Sequence, residues 1–440
     1  MPYLLPSHPS LKSDDPLGIL DTEDGLQWDV LDALLQAATK HATKQPPAEV
    51  FPALIEDIAY SLHSNGSMLI ENLRSYLLKL EVPSWYAFAC LNLLIAAKNL
   101  AQRFPDGVLH PLHLDGDAVT YNGKQINSLL AHQALGSLGS PEGTSWGLPD
   151  FTSWYKGNPA HSQAVEGYLD TLFNHFANGG YALETFTFSM FSPDTMPNPS
   201  MCTRVPNVHL HTTTVESEPS QGTEPVFVLV AAHSQPGPGA TATQEERLQN
   251  ASLALSVSAL VTPVLPENGA VVTSAFPVHA AWEGHNRTAK LTELYKQEKR
   301  PERHYILADA LQIDELDNEG EGLSDLQPGR VEREARKLYA AFTGASKVHA
   351  TSQSGPCIIE TGAWGCGAFG GNVVVKTACI MIAAALTEIE LHLTLLEHRK
   401  QDIKDVRLLL EKEMTAAALW ERVTAPSAGR ITEPLQLLSD

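Results

Sequence analysis

Two glycine-rich stretches of this chain carry groups able to do chemistry. The first is Gln235 to Arg247, QPGPGATATQEER, where a loop containing Gly237 and Gly239 runs into Gln244, Glu245 and Glu246. Glutamates suit proton transfer, because a carboxyl whose pKa is raised toward neutrality can give a proton to a leaving oxygen and later take one from water. Neighbouring glutamates do not face one another. They point about 100° apart on a helix, or to opposite sides of a strand. One of the two should therefore meet a reacting bond while the other orients substrate. Gly237 and Gly239 permit positive φ and close backbone approach, whereas Pro238 fixes φ and removes one N–H. The plain alternative is an acidic first helical turn that complements the helix dipole.

The second stretch is Thr361 to Asn372, TGAWGCGAFGGN, between an expected strand and an expected helix. Its five glycines would expose N–H groups to a phosphate or pyrophosphate at a helix N-terminus. Gly365, Gly367 and Gly370 also have the spacing of the dinucleotide fingerprint, with Glu388 and Glu390 about twenty residues on. That fingerprint opens its fold, however, and only 69 residues run from Asn372 to Asp440, which argues against a nicotinamide cofactor. His209 and His211 share one strand face without a third ligand at characteristic spacing, so no metal is expected. Arg287, Lys290, Lys296, Lys299, Arg300 and Arg303 are interleaved with glutamates and read as a solvated face. Trp282 and His285 are flat groups able to stack on a base.

These loops need a scaffold, and the composition allows one. The chain has 440 residues, 43% hydrophobic and only 18% charged, which excludes global disorder. With 30 Lys and Arg against 51 Asp and Glu, the formal charge is −21. That field repels phosphates and argues against direct nucleic-acid binding. An anionic ligand would have to be held by backbone dipoles in a local pocket. The most apolar stretches, Ala251 to Leu265 and Val373 to Leu386, are interrupted by polar residues and too short to span a bilayer. The N-terminus lacks the pattern of a secretory signal. Five scattered cysteines without CxxC pairs fit a reducing compartment. A soluble intracellular protein without membrane attachment is expected.

Residues 1–180 read as mainly helical, with helical periodicity at Trp28–Ala38, Val50–Leu62, Tyr86–Leu100, Ile126–Leu138 and from Val165 to Phe176. Strands are expected at Thr185–Met190, Val208–Val215, Val226–Ala231, Val271–Ala275, Tyr305–Ala308 and Cys357–Glu360. Helices are expected from Val331 and from Val373. Asp314 to Asp325, DELDNEGEGLSD, reads as a solvated acidic insertion loop. Alternating strands and helices argue for an α/β core.

Taken together and in this order, the two loops resemble the poly(ADP-ribose) glycohydrolase family. Its signature is a glycine loop leading to Gln-Glu-Glu, followed downstream by a block close to TGNWGCGAFGGD. Gln244 to Glu246 match the first, and TGAWGCGAFGGN matches ten of twelve positions of the second. LETFTFSMF (183–191), GKQINSLLAHQAL (123–135), AVEGYLDTLFNHF (164–176), RHYILADAL (303–311) and ARKLYAAFTG (335–344) are weaker echoes, so the resemblance covers roughly residues 120–395.

The resemblance implies a macrodomain-like three-layer α/β/α core with a mixed sheet at 181–440, preceded by an α-helical accessory region at 1–180. It implies hydrolysis of the ribose–ribose O-glycosidic bond of poly(ADP-ribose), mainly at chain ends, releasing ADP-ribose without a metal or cofactor. Poly(ADP-ribosyl)ated proteins in the nucleus or cytoplasm, in the DNA damage response, would be the partners. Carried over residue by residue, Glu246 is the acid/base, Glu245 bonds the neighbouring ribose and Gln244 sets the loop. Gly237, Gly239, Gly365, Gly367, Gly370 and Gly371 hold the pyrophosphate, Phe369 packs on the terminal ribose, and His285 falls near the adenine-stacking position. The chain departs from the family pattern at Val230, His233, Pro238 and Ala363. A catalytically weak or inactive reader of ADP-ribose or its polymer is the alternative.

Overall fold

The computed structural model describes residues 1–20, 25–42, 47–63, 69–80, 84–141, 146–213, 226–284, 286–316, 322–352 and 355–438. Nine strands join in one mixed sheet. They are β1 (Ala118–Asn122), β2 (Thr185–Phe191), β3 (Asn207–Thr213), β4 (Phe227–Ala232), β5 (Ala270–Thr273), β6 (Phe276–Pro277), β7 (Glu302–Asp309), β8 (Ile358–Thr361) and β9 (Glu390–Leu396). The order is β1-β2-β5-β7-β4-β8-β9-β3, with β6 beside β7. The five strands from β7 to β3 run parallel. β5, β2 and β1 extend the sheet antiparallel.

The apolar run of β4 explains its central place, because a strand covered on both faces has no solvent side to make polar. Val228, Val230 and Ala232 point into a core shared with the N-terminal helices. Phe227 and Leu229 point into a second core, built with helices Arg330–Ser352 and Val373–Thr387. The result is helix, sheet and helix in three layers, the mixed α/β architecture expected. Val373 to Ala385 are all buried, so packing overrides the weak helix preference of three successive valines. Asn372 starts that helix, its Oδ1 accepting from the Val374 and Val375 N–H groups at 3.0 and 3.2 Å.

The N-terminal layer stops short of one sheet edge. Among the described residues, none from β9 or β3 joins the core built by the N-terminal helices. The polar face of β8, β9 and β3 is therefore left open, next to the carboxyl ends of the parallel strands. Ligands bind at such ends in open α/β sheets.

Residues 1–180 are mainly helical, and they also lend β1 to the main sheet, where it pairs with β2. Two expectations need correction. The basic cluster is not one solvated face: Lys290 is exposed beside Glu283, but Arg303 on β7 is buried. Nor is the acidic insertion loop solvated throughout. Asp314 is exposed, Asp325 is buried, and residues 317–321 lie outside the described residues.

Candidate active site

Helix Gln244–Ala251 opens over the carboxyl end of β4. β8 pairs with β4 only as far as Val228. The Gln244 side-chain amide then takes over the ladder. Its Oε1 accepts from the Ala231 N–H at 2.9 Å, and its Nε2 reaches the Leu229 carbonyl at 3.4 Å. Gln244 thus fixes where the helix starts.

The two glutamates that follow point to different surroundings. Glu245 turns inward and is 5% exposed. Its carboxylate accepts from the His233 N–H at 2.7 Å, the Gly237 N–H at 3.3 Å and Gln249 Nε2 at 3.0 Å. Burial, and secondarily the Glu246 charge, push its pKa well above the usual carboxylate range. Glu246 is half-buried and lines the cleft. Its Oε1 accepts from Thr241 Oγ1 at 2.6 Å, whereas its Oε2 is sealed from solvent without a partner among the described residues. Burial raises the Glu246 pKa as well, and the Thr241 bond partly opposes the rise. One carboxyl is saturated. Its neighbour holds a free oxygen and an elevated pKa.

The loop over Glu246 is held from the N-terminal layer. Trp154 Nε1 donates to the Gly239 carbonyl at 2.8 Å, and the Tyr168 hydroxyl donates to the Thr241 carbonyl at 2.8 Å. These rings belong to a chain of aromatic contacts running from Phe151 through Trp154 and Tyr168 to Trp282, which lines the cleft. Sequence reasoning missed Trp154 and Tyr168, which no local pattern connects to a loop more than seventy residues away.

Across the cleft, the loop after β8 turns at Gly365 and Gly370, whose φ values of 72° and 68° favour glycine. The Gly371 N–H closes the turn on the Gly365 carbonyl at 3.0 Å, and buried Trp364 anchors it by donating to the Ala308 carbonyl at 3.0 Å. The successive N–H groups of Gly367, Ala368 and Phe369 have no acceptor among the described residues. Runs of unpartnered backbone N–H groups are the material from which anion sites without positive side chains are made.

A buried ion network supports this loop from below. Lys376 pairs with Glu334 and lies 3.5 Å from Asp325. Asp325 accepts from the Asn372 N–H at 2.9 Å. Arg333 pairs with Asp309 and with Glu334, and Lys337 pairs with Asp309 at 2.6 Å. Three cations thus balance three carboxylates, as burial demands.

The cleft encloses about 570 Å³, and Gln244, Glu245, Glu246, Gly365, Gly367 and Phe369 line it. Gly237 and Gly239 do not line it, and neither takes positive φ. The close approach at Gly237 is to the Leu148 backbone, and the one at Gly239 is to Glu246. Gly370 stands against Asp314, and Gly371 against Lys376 and the Gly365 carbonyl. His285 lies outside the described residues. Val230 is fully buried, and His233 is exposed with its N–H on Glu245. Among the described residues, no helix is long and apolar enough to cross a membrane.

Residues 199–402 match the family model described as poly(ADP-ribose) glycohydrolase, macro domain fold. Among solved structures, the chain is similar to poly(ADP-ribose) glycohydrolase from Deinococcus radiodurans in complex with ADP-ribose. Identity is 15%, with 51% of this chain and 94% of that chain covered and a TM-score of 0.34. It is also similar to the Thermomonospora curvata enzyme bound to the inhibitor ADP-HPD, at 14% identity, 48% and 78% coverage and a TM-score of 0.31.

Proposed function

From the premise that residues 199–402 match the family model described as poly(ADP-ribose) glycohydrolase, macro domain fold, we propose that this chain hydrolyses the ribose–ribose O-glycosidic bond of poly(ADP-ribose) and releases ADP-ribose. The observation that carries this reading is that Glu246, whose Oε2 has no partner among the described residues, lines a cleft whose opposite wall offers unpartnered N–H groups. Protonated Glu246 gives its proton to the leaving ribose oxygen as the glycosidic bond breaks. The resulting carboxylate then takes a proton from the water that attacks the oxocarbenium-like carbon. One glutamate serves both steps, unlike the two-carboxylate glycosidase scheme.

The diphosphate sits on the N–H groups of residues 367–369, and Phe369 packs on the terminal ribose. Neutral dipoles suit a chain of charge −21, because they bind an anion without a basic surface. Glu245 positions the 233–237 loop by accepting from the His233 and Gly237 N–H groups. Residues 1–180 act as an accessory layer that holds the loop over Glu246 through Trp154 and Tyr168.

The test is incubation with poly(ADP-ribose) and separation of the products by size. Free ADP-ribose from the earliest time points, without short oligomers, supports hydrolysis from chain ends. Early oligomers indicate internal cleavage. A second reading, a non-hydrolysing reader of ADP-ribose, is favoured by Val230 and by the Gly237 N–H being committed to Glu245. It predicts saturable ADP-ribose binding and no release.

A further inference from the structure

The two histidines on β3 lack a third ligand in sequence, but the sheet supplies one. β9 runs parallel beside β3, with His392 opposite His209 and Glu390 opposite Asn207. His392 Nε2 lies 2.9 Å from Glu390 Oε1, and His209 Nε2 lies 3.4 Å from the same oxygen. The three ligand atoms all fall within 4.8 Å of one another. The His209 and His211 rings stand 5.0 and 5.1 Å, centroid to centroid, from that of His392. Three imidazoles and a carboxylate therefore share the sheet face that the N-terminal helices leave open.

The spacing suits a small tetrahedral ion. Zn–N bonds of about 2.0–2.1 Å place neighbouring ligand atoms about 3.3 Å apart, and the two observed separations bracket that value. Side-chain rotation alone can draw the His209 and His392 nitrogens together, because paired strands fix their backbones. Imidazole and carboxylate donors favour zinc-like transition ions over calcium or magnesium. His209 is exposed and His392 half-buried, so an ion can reach them from solvent.

We propose that His209, His392 and Glu390 bind one divalent transition-metal ion, with His211 as the nearest further ligand, which staples edge strand β3 to β9. The staple lies on two strands whose carboxyl ends, at Thr213 and Thr394–Leu396, line the cleft. It is separate from the acid/base chemistry of Glu246 and does not depend on that reading.

The test uses the whole chain, freed of metal with a chelator that is then removed. It is titrated with Zn2+ by calorimetry and with Co2+ by visible absorption. One ion per chain is expected, with the Co2+ spectrum of a tetrahedral nitrogen and oxygen site. His209→Ala and His392→Gln should each weaken binding at least as much as loss of an outer-shell partner does, about 10- to 100-fold. His113→Ala, on an exposed loop, should leave it unchanged. Binding that is the same in His209→Ala and His392→Gln as in the unaltered chain would overturn the proposal. So would thiolate-to-cobalt charge-transfer bands, or no binding at millimolar metal.

Discussion

A methyl group on Gly239 would stand 2.7 Å from Oε1 of Glu246, closer than van der Waals contact allows. The loop and the glutamate are fitted to each other. Gly239 does not take positive φ, so alanine there meets no backbone penalty, and the strain falls on the Glu246 carboxyl. Gly239→Ala should therefore displace that carboxyl from Thr241 and lower kcat at least tenfold. Stability should stay within about 1 kcal/mol of the unaltered chain. Steady-state kinetics beside a denaturant titration separates the two effects.

Thr241 bonds the charged form of Glu246 and so lowers its pKa against the larger effect of burial. Thr241→Val removes that bond and raises the pKa further. The acid form then persists to higher pH. The alkaline limb of the kcat/KM profile should move upward in Thr241→Val, and a downward shift would contradict the assigned role.

The ion network beneath the glycine loop predicts a stability loss coupled to binding. Lys376→Met leaves Glu334 and Asp325 without their shared cation. Removing one partner of a buried pair costs about 3–5 kcal/mol. Because Asp325 also holds the Asn372 N–H, the loop should loosen and ADP-ribose affinity should fall. Urea unfolding and calorimetric titration read the two consequences.

Stability should also fall on mild acidification. Burial lowers the His132 pKa to about 4, against the opposing hydrogen bond to the Ala97 carbonyl. The unfolded chain titrates this group near 6.5. Its contribution is full above pH 6.5 and is lost as pH falls through that value toward 4, about 3 kcal/mol in all. His132→Gln should flatten the dependence of stability on pH across this window.

How much of this was legible in the sequence follows from the range of each interaction. The apolar run of β4 declares its own burial, and the two motifs QEE and TGAWGCGAFGGN mark both cleft walls, although Gly237 and Gly239 stand behind the first. The opposed roles of Glu245 and Glu246 follow from adjacency on a helix. β9 is not among the expected strands although ELHLTLL alternates cleanly, with Leu391, Leu393 and Leu395 inward and Glu390 and His392 outward. What the sequence could not express is partnership at long range. Trp154 reaches Gly239 across 85 residues, and the ion network gathers charges from Asp309 to Lys376 that look solvated one at a time. The burial of Arg303 and Asp325 is invisible locally for the same reason: burial of a charged residue is decided by elements elsewhere in the chain.

The central claim is that the free oxygen of Glu246 transfers the proton. Glu246→Gln keeps the shape of the side chain and removes its acid. The most direct measurement compares this variant with the unaltered chain for ADP-ribose release from poly(ADP-ribose) and for ADP-ribose affinity. The account predicts release reduced by about 10²–10⁴-fold, the usual worth of a positioned acid or base, with affinity within a few-fold. Turnover by Glu246→Gln at the unaltered rate would contradict it.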